Sequence, residues 1–154
     1  MALALALALA LAAPVLLAAC TEYSGTQSQK VQEWAKQASF VTNNNQIVSD
    51  VVLVRKSASI GTGLQFLTDC GGMASDVGTA YEQLPAPDQQ LTNYLNDAYT
   101  LIGQAAQDCS ATKNVHSAVA TKSLAQIAKG MGDLQHSQHL LASLGIKWAN
   151  KQLP

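Results

Sequence analysis

The chain has 154 residues, of which 48% are hydrophobic and only 12% are charged, and its formal net charge is −1. This balance excludes a typical nucleic-acid-binding protein, because no excess of Lys and Arg is present to offset phosphate charge. The charged share is about half of what is usual for soluble domains, so Gln, Asn, Ser and Thr must supply much of the polar surface.

An apolar segment opens the chain. Residues 2–19 contain only Ala, Leu, Val and one Pro, and they end in Leu17-Ala18-Ala19 directly before Cys20. This ending resembles the lipobox of bacterial lipoproteins, in which the cysteine becomes the lipidated first residue of the mature chain. The resemblance implies a signal peptide over residues 1–19, lipidation at Cys20, and a lipid-anchored location on the extracytoplasmic face of the cell membrane.

Two properties of this segment leave alternatives open. About 20 apolar residues are also enough to cross a bilayer as an uncleaved anchor. Residues 1–19 contain no Lys or Arg, whereas signal peptides normally begin with positive charge. Either the initiator amine supplies the only charge or a basic start is missing from this sequence. Pro14 and the small residues before Cys20 favour processing.

The sequence becomes polar immediately after Cys20. Residues 20–28 are predicted to be the lipidated cysteine and a flexible tether, since they contain few apolar side chains. The folded part is expected over residues 29–154, which is the size of one ordinary domain.

Four segments of this domain have apolar residues at the three- and four-residue spacing of a helix face. We therefore expect helices over about 29–59, 63–84, 89–111 and 114–150. The run Asn43-Asn44-Asn45 consists of poor helix formers and predicts a kink or break in the first helix.

The boundaries of the later helices carry recognisable signals. Leu84-Pro85-Ala86-Pro87-Asp88 contains two prolines that stop the second helix, and Asp88 is a suitable N-cap for the third. Asn114 or Ser117 is predicted to cap the fourth helix. Its glycines at 130 and 132 predict a bend, because glycine weakens a helix interior.

The chain has three cysteines, of which Cys20 belongs to the lipobox and Cys70 and Cys109 are left as a pair. With Cys20 assigned to lipid, Cys70 and Cys109 remain in an oxidising compartment, where a disulfide is the expected state. Both lie on the apolar faces of consecutive predicted helices, which independently favours pairing. Free thiols and a metal site are the alternatives. A disulfide closing this loop of about 40 residues would stabilise the fold by roughly 4 kcal/mol.

Helix geometry adds a constraint on this pairing. At 1.5 Å per residue, Cys70 lies about 21 Å from the proline turn along the second helix, and Cys109 about 32 Å along the third. A straight hairpin would leave them roughly 10 Å out of register, whereas the Cα atoms of a disulfide must come within about 7 Å. We therefore expect the second helix to be shorter or more broken than its periodicity indicates.

The segment from Cys70 to Cys109, with Pro85, Pro87 and Asp88 at its turn and an Ala-rich third helix, resembles a pattern in small secreted or lipidated actinobacterial proteins. The resemblance implies that the chain is a bacterial lipoprotein of actinobacterial type with a small, disulfide-linked helical domain. It implies no activity.

Residues with chemical potential are few. His136 and His139 stand one helical turn apart, with Asp133 one turn earlier, and they are weak candidates for metal ligands. An exposed polar helix face explains the pair without any metal, and this interpretation is favoured. The sequence has no motif for a haem, a di-iron centre, a nucleotide or an activated nucleophile. We expect no cofactor and no enzymatic activity.

These observations predict an all-α protein: a three- to four-helix up-down antiparallel bundle stapled by a Cys70–Cys109 disulfide. The predicted function is that of a membrane-anchored, non-enzymatic lipoprotein serving as an envelope interaction or binding module. Its expected partners are the membrane, through Cys20, and an envelope protein or an apolar ligand, but no nucleic acid. A carrier of an apolar or lipid-like ligand within the bundle is one alternative, and a small hydrolase or metal-binding protein is another.

Overall fold

The computed structural model describes residues 23–148, which contain five helices. They are α1 (Gln27–Gln37), α2 (Phe40–Ile60), α3 (Gly63–Tyr81), α4 (Gln89–Ser110) and α5 (Ala118–Ser143). Each helix packs on the next along the chain, and the contact of α4 with α5 is the most extensive. The predicted all-α antiparallel bundle with its disulfide is confirmed, with α1 as a short additional helix.

The predicted signal peptide and Cys20 lie outside the described residues. Among residues 23–148, none of the helices combines the length and the apolarity that crossing a membrane would require.

One continuous hydrophobic core runs through the bundle. Its largest fully buried side chains come from all five helices: Val31, Ile47, Val48, Phe66, Met73, Leu91, Leu95, Ile102, Ile127, Met131, Leu134 and Leu141. Two tryptophans close the core at one end, since Trp34 and Trp148 both contact Phe40, with ring centroids 5.4 and 5.2 Å apart.

The first predicted helix is divided in two, but at a different place from the one expected. Ser39 takes a left-handed conformation (φ 49°) between α1 and α2, and α2 then continues without interruption through Asn43, Asn44 and Asn45. The predicted break at the asparagines is therefore wrong.

Tertiary hydrogen bonds explain why the asparagines stay helical. The fully buried Asn44 donates from Nδ2 to Phe40 O at 2.9 Å and accepts from the Tyr99 hydroxyl at 3.0 Å. Asn45 Oδ1 accepts from Trp148 Nε1 at 3.0 Å. The two long-range bonds, to Tyr99 and Trp148, outweigh the weak helix propensity of asparagine.

Side-chain caps define the starts of α1, α4 and α5. A capping box joins Thr26 and Gln29, so α1 begins at Gln27, two residues before the predicted start of the bundle domain. Asp88 caps α4 by accepting from Leu91 N at 2.8 Å, and Ser117 caps α5 by accepting from Ala120 N at 3.1 Å. Both caps were predicted from the sequence.

Cys70 and Cys109 form the predicted disulfide, with their Cα atoms 5.9 Å apart. The expected interruption of the second helix is absent, because α3 runs unbroken through Gly71, Gly72 and Gly78. It ends at Tyr81, only three residues before the predicted end. The expected mismatch between the heights of the two cysteines must therefore be removed by another feature of the hairpin.

The register of α3 and α4 is fixed by contacts along both helices. The Tyr81 hydroxyl donates to Asn96 Oδ1 at 2.9 Å, which places the end of α3 level with Asn96. Cys70 lies about 17 Å from Tyr81 along α3, and Cys109 lies about 20 Å from Asn96 along α4. The two cysteines are therefore nearly level, and a disulfide can span the small remaining difference. The mismatch is absorbed because residues 89–95 of α4 extend about 10 Å beyond the end of α3.

Helix α5 is also continuous through Gly130 and Gly132, where the sequence predicted a bend. Gly130 serves a different purpose, since it lets α5 approach α4 closely. A Cβ atom at Gly130 would lie 2.6 Å from Ile102 Cγ1 and 3.0 Å from Ala98 O, whereas one at Gly132 would have no neighbour within 4 Å.

We expect Gly130→Ala to lower the free energy of unfolding by about 1–3 kcal/mol, because the new methyl group overpacks the α4–α5 interface. Gly132→Ala is the matched control and should raise the same quantity by about 0.5–1 kcal/mol. Urea denaturation of the two variants measures both effects, and equal stabilities would contradict the close approach.

Removal of the disulfide should cost much of the stability of the domain. We expect the double variant Cys70→Ala/Cys109→Ala to lose roughly 4 kcal/mol in free energy of unfolding. Thermal unfolding with and without dithiothreitol checks this: the reductant should lower the Tm of the parent protein and leave the Tm of the double variant unchanged. The Cys20→Ser variant retains only Cys70 and Cys109 as cysteines. If the reductant left its Tm unchanged, the pairing would be contradicted.

Candidate functional site

The chain enters the described fold at the end of the bundle formed by the α3–α4 connection, residues 82–88, which we call the proximal end. Here the Gln27 side-chain amide donates to Pro87 O at 2.9 Å. Trp34 Nε1 donates to Gln83 O at 3.0 Å. These bonds hold α1 against the connection, so any segment preceding residue 23 starts from this end.

The opposite end carries the turn between α2 and α3, residues 60–64, which we call the distal turn. Gly61 ends α2 with a positive φ of 76°. Gly63 lies against the α4–α5 connection so closely that a Cβ atom would fall 1.9 Å from Lys113 O. The distal turn is therefore fixed to the second half of the bundle by a contact that only glycine permits.

Large aliphatic side chains flank these glycines. Ile60 is 62% exposed and Leu64 is 69% exposed, the two highest values among the large hydrophobic residues on the described surface. Single exposed aliphatic residues are common on proteins. Two of them on one anchored turn form a small apolar surface that is presented to the surroundings.

An open cleft of about 510 Å³ lies at the proximal end, between α1, the start of α2 and the residues that follow α5. Its charged lining residues, Lys36 and Lys147, are both basic, and Gln32, Ser39 and Thr42 add polar groups. This lining suits a small polar or anionic group better than an apolar one.

The aromatic side chains in the core at the proximal end leave one small gap between them. A gap among Trp34, Phe40 and Tyr99 is too narrow to hold a water molecule. A lipid-like ligand therefore finds no room at this place.

A buried acidic residue that the sequence analysis missed lies between α2 and α3. Asp50 on α2 is 6% exposed, and the acidic residues that act on it are Asp76 and Asp69 on α3. Burial, followed by the interaction with Asp76, raises the pKa of Asp50 to about 7. A signal was present in the sequence, because Asp50 occupies the apolar face defined by Ile47 and Val54.

The histidines do not converge on a site. His136 and His139 are both exposed on α5. His136 stacks on Tyr94 of α4, with ring centroids 5.4 Å apart. Within residues 23–148, no group of three or more His, Cys, Asp or Glu side chains is placed to hold a metal ion. The paired cysteines are consumed by the disulfide and offer no thiol nucleophile.

Comparisons with known proteins give no relative from which a role could be transferred. The sequence matches no known protein family, no characterised protein and no solved structure. The candidate surfaces therefore rest on the geometry of this chain.

Proposed function

We propose that the chain is an extracytoplasmic lipoprotein, anchored by lipid on Cys20, whose helical domain serves without catalysis as an interaction module for an envelope protein. The lipobox resemblance of residues 17–20 supports the anchor. The disulfide between Cys70 and Cys109 supports an oxidising compartment, where such bonds form and persist.

The observation that carries the proposal is the separation of the two ends of the bundle. Helix α4 has 22 residues and runs from the proximal to the distal end, a length of about 33 Å. Residues 20–26 reach at most about 24 Å when fully extended. A lipid on Cys20 would thus keep the proximal end near its membrane and let the distal turn project away from it.

This orientation gives the distal turn a role. Ile60 and Leu64 would face the envelope space, where a protein partner can cover them and remove their apolar surface from water. The contact between Gly63 and Lys113 O holds the turn in place before binding, which lowers the entropy that a partner must remove.

The two alternatives receive less support from the geometry. A carrier of an apolar ligand needs an apolar cavity within the bundle, and the gap among Trp34, Phe40 and Tyr99 is too narrow for water. A hydrolase or metalloprotein needs converging polar groups, whereas His136 and His139 are exposed on α5 and His136 stacks on Tyr94.

Cys20→Ser should release the protein from the membrane, because the thioether that would carry the lipid cannot form. We expect the parent protein to incorporate radiolabelled palmitate and to sediment with membranes, and the variant to do neither. Fractionation of cells that produce each form measures this. Cys70→Ser/Cys109→Ser is the matched control and should retain the label. Palmitate labelling that survives Cys20→Ser would disprove the anchor.

A photo-crosslinking amino acid at Leu64 should capture one envelope protein in cells, because the distal turn is proposed to contact it. The same amino acid at Gln104, an exposed position on α4, serves as the control and should give no such adduct. Ile60→Ser, combined with the crosslinker at Leu64, should reduce the yield several-fold, whereas Val52→Ser, at another exposed aliphatic residue of α2, should not. Equal adducts from positions 64 and 104 would exclude the distal turn as the binding surface.

A further inference from the structure

Asp50 is a buried acid with an incomplete set of partners. It is 6% exposed and lies on the face of α2 that carries Ile47, Val51 and Val54 into the core. Gln46 Nε2 donates to its Oδ1 at 3.1 Å. Its Oδ2 is also buried, and no donor among residues 23–148 reaches it. A buried carboxylate oxygen without a donor is costly, so the ionised form of Asp50 is disfavoured here.

The groups that face Asp50 increase this cost. The Asp76 carboxyl on α3 lies within hydrogen-bonding reach, and Asp69, also on α3, adds a further repulsive charge. Of the other helices that contact α2, neither α1 nor α5 contributes a charged group that acts on Asp50 among the described residues. The site therefore brings together acidic side chains of α2 and α3, and no basic residue in the described part of the chain acts on Asp50.

Two carboxylates in contact cannot hydrogen-bond to each other, because both only accept. One proton solves this: a protonated Asp50 donates from Oδ2 to the Asp76 carboxylate, which satisfies the open oxygen and removes one negative charge. When the proton leaves to solvent, the bond is lost and the two charges repel. This is the behaviour of carboxyl pairs that share a single proton.

We propose that Asp50 and Asp76 form a proton-binding site between α2 and α3 that tightens the packing of these helices as the surroundings become acidic. The proton acts on the hairpin whose tip is the distal turn. Acidification thus stiffens the support of Ile60 and Leu64, and a neutral or alkaline medium loosens it. This inference stands independently of the lipid anchor and of the identity of any partner.

The direction of the pH effect follows from linkage. Burial and Asp76 raise the pKa of Asp50 from 3.8 to about 7 in the folded protein. The stabilising contribution is therefore fully present below about pH 4 and is lost as the pH rises through about 7. Between these limits the folded state holds one more proton than the unfolded chain.

The test compares the pH dependence of unfolding in the Cys20→Ser form of the full chain with and without Asp50→Asn. Asparagine keeps the shape, accepts from Gln46 and can donate to Asp76, so it mimics the protonated acid permanently. Between pH 5 and 6.5 the unfolding equilibrium constant of the parent, divided by that of the variant, should rise by close to tenfold per pH unit. Asp97→Asn, at an exposed acid of α4, is the control and should leave the parental pH dependence unchanged.

Asp76→Asn provides a second, independent variant. It removes the repelling charge, so the midpoint of the Asp50-linked transition should move to lower pH. Amide hydrogen exchange at residues 47–54 should be faster at pH 8 than at pH 5 in the parent, after correction for the intrinsic rates, and should show no such difference in Asp50→Asn. Together these results would establish the shared proton.

Two outcomes would overturn the proposal. Parallel pH dependences for the parent and Asp50→Asn would show that no proton is linked to this pair. Stabilisation by millimolar Ca²⁺ or Mg²⁺ at pH 8 that disappears in Asp50→Asn would assign the pair to a divalent cation instead of a proton.

Discussion

The register between α3 and α4 is the constraint on which the rest of the fold depends. The Cys70–Cys109 disulfide fixes it at one end and the Tyr81–Asn96 hydrogen bond at the other. Between them, Val77 lies so close to Gly103 that a Cβ there would be 3.3 Å from Val77 Cγ1. Because this register is fixed, the first turns of α4 must extend beyond α3. The uncovered apolar side chains of that extension determine where the other elements pack.

Helix α1 and the α3–α4 connection complete the bundle at this extension. Leu91 and Leu95, which lie beyond the end of α3, are nevertheless fully buried. Trp34 and Trp148 converge on Phe40 at the same end. The short helix is thus part of the hydrophobic core, and the position at which the chain enters the domain follows from a mismatch of helix lengths.

The sequence predicted features that depend on local chemistry and missed those that depend on distant partners. Helix caps at Asp88 and Ser117 and the pairing of Cys70 with Cys109 follow from residue type and spacing, and the structure contains all three. Asn44 and Gly130 were read as helix-weakening residues because their tertiary partners, Tyr99 and Ile102, cannot be deduced from neighbouring residues. The place of Asp50 on an apolar helix face could have been read from the sequence, but its neighbour Asp76 on α3 could not.

Three of the hydrogen bonds that dock α1 share one property, which the fourth, from Gln27 Nε2 to Asp88 Oδ2 at 3.3 Å, lacks. Gln27, Ser28 and Trp34 donate from their side chains, and their acceptors are main-chain carbonyl groups of Pro87, Leu144 and Gln83. The acceptors exist whatever side chains residues 83 and 144 carry, provided that the backbone keeps its path. A substitution at residue 83 or 144 therefore leaves these acceptors in place, whereas truncation of Gln27, Ser28 or Trp34 removes the donor and with it the bond. The docking of the first helix thus depends more on its own side chains than on those of the residues that receive it.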